Sequence, residues 1–140
     1  MTIHLQGYSH LPDAGDAKAQ LRRVQQALAF LEANFASKLT IEQLARISGL
    51  SLFHFSRLFH RVVGLPPYQY LLRCRLRHAQ ELLSASTSSP SIADIAIVCG
   101  FADQAHLTRL FRRAFGVTPQ QFRRTQTSAG LDKKARKNVL

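Results

Sequence analysis

Cysteine, acid and long apolar runs are all scarce in this chain, and each scarcity closes off a class of protein. The two cysteines, Cys74 and Cys99, fall on separate predicted helices without CxxC spacing, unlike a zinc site or the disulfide framework of a small secreted domain. Both are expected to be reduced. The six histidines do not replace them: His54 and His60 lie six apart, and no two histidines have the three or four spacing that shares a helix face. No metal and no cofactor is expected. No apolar run approaches the roughly 20 residues of a membrane span, and the opening MTIHLQGYSH has neither a basic n-region nor an apolar h-region. A soluble cytoplasmic protein without a membrane partner follows. The few acids form neither paired carboxylates nor a Ser-His-Asp grouping, so there is no catalytic residue to name and an enzyme is not expected.

Against 8 Asp and Glu stand 19 Lys and Arg, a formal net charge of +11. Such an excess predicts attraction to a polyanion. Apolar residues make up 46% and charged residues 19% of the 140, ordinary values for a folded chain about one domain long. Strand signals are nearly absent, while apolar residues recur at three and four spacing, as in Val24, Leu28, Leu31 and Phe35. The fold expected is all-α, with about seven helices in two helix-turn-helix subdomains joined by a long linker helix.

Local signals divide the chain. Residues 1–19 lack sustained periodicity and residues 125–140 end in the charge run KKARK, so a flexible N-terminal segment and a basic disordered tail are expected. Between them lie a first helix-turn-helix subdomain over 20–64, a linker helix over 65–86 and a second subdomain over 87–124. In the first, Thr40 with Gln43 forms a capping box, Gly49 ends a helix of about two turns, and Ser51 caps a longer helix with core positions Phe55, Leu58, Phe59 and Val62, closed by Gly64. The linker helix starts at Pro67 and stops before SASTSSPS. Then Ser91 caps a short helix with Ile92, Ile95, Ala96 and Cys99, and Asp103 caps another with Leu107, Leu110, Phe111 and Ala114, closed by Gly116.

This is a repeat. Leu44 pairs with Ile95 and Gly49 with Gly100 at an offset of 51, Phe55 with Leu107 and Gly64 with Gly116 at 52. One extra residue in the second turn accounts for the change. Short helix, tight turn and longer helix is the helix-turn-helix signature. Two copies joined by a helix of roughly 28 Å have the scale to meet successive major grooves, about 34 Å apart on one face of B-DNA. A chain carrying both readers is expected to bind DNA as a monomer on a non-palindromic site.

On the first longer helix the face opposite the core holds Phe53, Ser56, Arg57 and His60. Arg57 can offer a bidentate fork to guanine O6 and N7, Ser56 can donate or accept, and Phe53 can meet a thymine methyl; His60 and Arg61 are placed for phosphate. The second helix repeats this with Ala105, Thr108, Arg109 and Arg112, Gln104 in its first turn for adenine, and Arg113 as the counterpart of Arg61. Arg112 and Arg113 are assigned to phosphate. From 56 to 124 there are ten Arg and no Lys, the residue best suited to planar phosphate and guanine contacts. Helix N-termini near Ile41, Ile92 and Pro119 could add phosphate contacts through backbone N–H groups.

The stretch GFADQAHLTRLFRRAFGVTPQQFRR resembles the signature of the AraC/XylS transcription regulators, and LTIEQLARISGLSLFHFSRLFHRVVGLPPYQYLLRCRLRHAQELL is similar to that family's first helix-turn-helix and linker helix. The likeness covers about 20 to 124. It implies a seven-helix, two-lobed domain that binds double-stranded promoter DNA and recruits or positions RNA polymerase as an activator. Matched position by position, it places base reading on Phe53, Ser56, Arg57, Gln104, Ala105, Thr108 and Arg109, with Ala105 too small to read by hydrogen bonding. The family usually adds a sensor domain for which this chain has no room, so it resembles short stand-alone members; a DNA-binding fragment of a longer effector-sensing regulator is the alternative. Two further readings are weaker. A reactive cysteine used for DNA-alkylation repair is opposed by the core position of Cys99, and a redox role for Cys74 rests only on neighbouring Arg73, Arg75 and Arg77. A protein-binding transcription cofactor with the same fold would lack the steep salt dependence of DNA binding.

Overall fold

A computed structural model describes residues 14–85 and 90–126. Seven helices and no strand occur among them. In chain order they are α1 Ala14–Asn34, α2 Ile41–Ile47, α3 Leu52–Val63, α4 Pro67–Ser84, α5 Ile92–Val98, α6 Gln104–Phe115 and α7 over 119–126. The helix α1 begins within the stretch expected to be flexible. Its first turns, AGDAKAQ, are rich in strong helix formers and carry Asp16 where the helix dipole favours an anion. Residues 15–19 are exposed, so they carry no apolar period to detect. Residues 1–13 of that segment, 127–140 of the basic tail and 86–89 of the interhelix loop lie outside the described residues.

The described residues form two units, one of 14–33 with 40–68 and one of 34–39 with 69–85 and 90–126. In the first, α2 and α3 pack on one another, and Val24, Ala27, Leu31, Leu44, Phe55 and Phe59 are fully buried. The rings of Phe55 and Phe59 lie 5.6 Å apart. The stripe of α1 therefore includes the small Ala27, while Leu28 is half-buried. Phe35 lies past the helix end and belongs to the other unit, where its ring meets His78 edge-on at 5.5 Å.

In the second unit α5 and α6 pack together. Their core joins Leu76, Ala79 and Leu83 of α4 to Ile95, Phe101, Leu107 and Phe111. The helix α7 closes this core through Phe122, edge-on to Phe111 at 5.6 Å. Arg123 of α7 donates to the Pro90 carbonyl oxygen.

Two expected core positions are not core. Val62 is 42% exposed, and Ala114, its counterpart 52 residues on, is exposed as well. The partners α2 and α5 have seven residues each against twelve in α3 and α6, roughly 10 Å against 18 Å. A partner of that length covers only the first turns, so the last turn overhangs in both copies.

Candidate nucleic-acid interface

Matched caps hold α3 and α6. Ser51 Oγ accepts from the His54 N–H at 3.2 Å, and the Asp103 carboxylate accepts from the His106 N–H at 2.8 Å, each satisfying an orphan donor of the first turn. At the other ends Gly64 and Gly116 take left-handed φ of 92° and 78°. The two helices thus start and stop at equivalent positions.

The turns before them differ by the one residue counted in the sequence. Their first hydrogen bonds agree: Gly49 N to the Arg46 oxygen and Leu50 N to the Ala45 oxygen, then Gly100 N to the Ile97 oxygen and Phe101 N to the Ala96 oxygen. In the second turn Phe101 is buried, edge-on to the His106 ring at 5.6 Å. His106 Nδ1 accepts from the Ala102 N–H at 3.3 Å, a bond only an unprotonated ring nitrogen can accept. The extra residue is absorbed there, and α6 keeps the phase of α3.

Each expected reader has a definite setting. On α3, Phe53 is 71% exposed, Arg57 is exposed and Ser56 half-buried. The Arg57 guanidinium lies over the Phe53 ring at 5.4 Å, a cation–π contact that holds a flexible side chain beside its own helix. His54 and Arg61 line a shallow depression with this pair. On α6, Gln104, Ala105 and Arg109 are exposed and Thr108 is half-buried, repeating the setting of Ser56 and Arg57. Ala105 stands where Phe53 stands, so α6 has no ring beneath Arg109. His60 with Arg61 and Arg112 with Arg113 are exposed in the last turns, where cations also complement the helix dipole. The structure brings the expected readers of each helix onto one exposed face.

Two arginines have other work. Arg75 Nε donates to the Phe35 carbonyl oxygen at 2.7 Å and Nη2 to that of Ser37 at 3.0 Å, tying the segment after α1 to α4. With Arg123 bound to Pro90, two of the ten arginines counted toward polyanion binding serve the fold. The helix N-termini are partly occupied too. Thr40, Ser91 and Thr118 side chains accept the N–H groups of Gln43, Asp94 and Gln121, and Pro119 has no N–H to offer.

Cys99 is fully buried. Burial, assisted by the Glu81 carboxylate, pushes its thiol up to about 11, which disfavours the thiolate that nucleophilic or redox chemistry needs. Its counterpart Ser48 is also buried, and its hydroxyl lies 2.9 Å from the Leu44 and Ala45 carbonyl oxygens. Cys74 is half-buried. Among the described residues no helix is long and apolar enough to cross a membrane.

Two capped helix-turn-helix units, each with an exposed basic face on its longer helix, define a DNA-binding domain of the paired helix-turn-helix class. A helix-turn-helix domain family model matches residues 44–125. Over 101 residues the chain is 42% identical to the HTH-type transcriptional activator RhaS of Klebsiella pneumoniae, covering 72% of this chain and 36% of that protein; it spans about a third of the length of such curated relatives. The structure superposes on an AraC-type transcriptional regulator from Chromobacterium violaceum with a TM-score of 0.67 and 31% identity, covering 76% of this chain and 93% of that one. With the DNA-binding domain of the global transcriptional factor AdpA, solved in complex with a target DNA, the TM-score is 0.71 and the identity 29%, covering 76% of this chain and 94% of that one. The chain belongs to the AraC/XylS family of DNA-binding transcription regulators.

Proposed function

We propose that the chain binds promoter DNA as a monomer, with α3 and α6 entering successive major grooves of one asymmetric site, and positions RNA polymerase there. The observation that carries this reading is the matched exposure and phase of Arg57 and Arg109 on two helices capped at equivalent positions. Arg57, steadied by Phe53, and Arg109 read guanine. Gln104 reads adenine, Ser56 and Thr108 hydrogen-bond base edges, and Phe53 and Ala105 meet thymine methyls. His60, Arg61, Arg112 and Arg113 hold phosphates and fix register without carrying sequence information. The target-DNA complex of the AdpA domain supports DNA as the ligand.

The test is selection of bound duplexes from a random library at moderate salt, followed by the stoichiometry of the selected complex. One asymmetric motif with two base clusters about one helical turn apart, bound by a single copy, is the expected outcome. A palindromic motif bound by two copies would remove the monomeric reading, and recovery of unpatterned DNA alone would remove specific recognition by this chain.

A further inference from the structure

A second surface lies within the second unit, away from the reading face. One face of α4 and the overhanging end of α6 enclose an open groove of about 430 Å³. Leu72, Leu76, Ala114 and Phe115 give it an apolar floor and wall, while Arg73 and Arg77 stand on its rim. Gln69 and Gln80 mark its two ends along α4, eleven residues or roughly 17 Å apart at 1.5 Å per residue. Both arginines are exposed, and neither has an ion-pair partner among the described residues. Ala114 and Phe115 lie about 140° and 120° around α6 from Arg109 at 100° per residue. What fills the groove therefore leaves the bases accessible.

Shape and charge together select the occupant. A trough about three turns long, with leucines four apart on its floor and arginines four apart on its rim, complements an amphipathic helix whose apolar and acidic residues recur at the same spacing. The chain's own C-terminal stretch cannot supply it: Lys133, Lys134, Arg136 and Lys137 against Asp132 would meet Arg73 and Arg77 as like charges. We propose that this groove between α4 and the end of α6 docks an acidic amphipathic helix of a partner protein, and that it does so while α6 is on DNA. The first part is independent of the DNA-binding reading; only simultaneous occupancy rests on it.

The probe is a peptide of about 14 residues, roughly four turns, with leucines at three and four spacing and glutamates beside them. Its control carries lysine for each glutamate. Amide chemical shifts of the full chain are mapped with each peptide, with and without the duplex selected above. The expected result is saturable shifts at Gln69, Leu72, Leu76, Gln80 and Ala114 with the acidic peptide only, retained on DNA, and at least tenfold weaker binding in Arg73→Glu/Arg77→Glu. Ala114→Glu, an exposed change that spares the core, should weaken the peptide similarly and leave duplex affinity within about twofold. Shifts confined to α3 and the Arg109 face of α6, or equal binding of the lysine peptide, would overturn the proposal. So would groove shifts that grow with protein concentration alone, which would make the occupant a second copy. Groove shifts that vanish on the duplex would overturn simultaneous occupancy, and absence of duplex binding with groove shifts intact would count against the DNA reading only.

Discussion

Phe53 and Ala105 occupy the same position in two otherwise matched helices, and that difference sets unequal demands on Arg57 and Arg109. On the proposed reading Arg57 is preordered by the ring below it, whereas Arg109 would lose its rotamer freedom on binding. Replacing either arginine by alanine should cost about 1–3 kcal/mol on the preferred site and flatten base preference at one position, while Arg61→Ala should weaken all duplexes alike. Competition binding against a panel of single-base variants separates the two patterns; equal, sequence-blind losses would refute the division. In a double-mutant cycle on DNA affinity, Phe53→Ala and Arg57→Ala should couple by about 0.5–1 kcal/mol, the worth of an exposed cation–π contact. A different demand falls on Gly100. Its φ is +94°, and an added Cβ would stand 2.9 Å from Arg75 Nε and 3.0 Å from the Phe35 oxygen, whereas at Gly49, with φ +71°, the space is empty. Gly49→Ala should cost only the left-handed strain, about 1–2 kcal/mol, and Gly100→Ala more, because it also presses on the Arg75 clamp; urea unfolding of the two variants compares them directly. For Cys99, burial holds the folded thiol near 11 against an ordinary 9.0. The thiol is neutral in both states at lower pH, so its contribution is intact below about 9 and is lost as pH climbs from there through 11. Cys99→Ala should lack that portion of the alkaline destabilisation, measured as the difference between the two stability–pH curves.

At the scale of elements, two helices begin with the same device. Thr40 and Gln43 exchange side-chain and backbone hydrogen bonds at 2.9 and 3.2 Å, and Thr118 and Gln121 do so at 3.0 and 3.1 Å. Thr40→Ala and Thr118→Ala should each cost about 1 kcal/mol in chemical denaturation; no loss at either would show that packing alone fixes that end. The first box was legible in the sequence because a short apolar period follows it. The second is less legible, since TPQQ carries the same spacing and a proline at the first helical position but no apolar period follows it. Caps, turns and the repeat could be read because they are local: a cap needs one side chain three residues from one N–H. Long-range facts could not. Nothing in RCRLR marks Arg75 as the residue whose guanidinium crosses to Phe35 and Ser37, and nothing in QFRR marks Arg123 for Pro90, so the sequence alone groups both with the arginines suited to DNA. The overhang of Val62 and Ala114 escaped for another reason, since periodicity assigns a face to a helix and not the length of the partner that covers it. The faces of α3 and α6 were legible because both helices are strongly amphipathic and sharply capped. The ring stacked under Arg57 was not, since helical spacing allows the contact without requiring it.

For the molecule as a whole, the question is how much of its +11 formal charge meets DNA. Binding driven by diffuse charge would release counterions in proportion to the whole excess, and log affinity would fall with log salt at a slope approaching about −10. The arrangement proposed here is more economical. Phosphate contact is assigned to His60, Arg61, Arg112 and Arg113, three permanent cations and one imidazole, while Arg57 and Arg109 are directed at bases and Arg75 and Arg123 are held by backbone carbonyls. Three to four phosphates neutralised give a slope of about −3 to −4 on the selected duplex. Arg61→Ala or Arg113→Ala should each make it shallower by about 0.9, and Arg57→Ala should lower affinity with the slope unchanged. Titrations at four or more salt concentrations decide the matter. A wild-type slope near −10 that no single variant alters would mean that the basic surface acts as an unstructured polycation, and the assignment of separate reading and holding residues on α3 and α6 would fall with it.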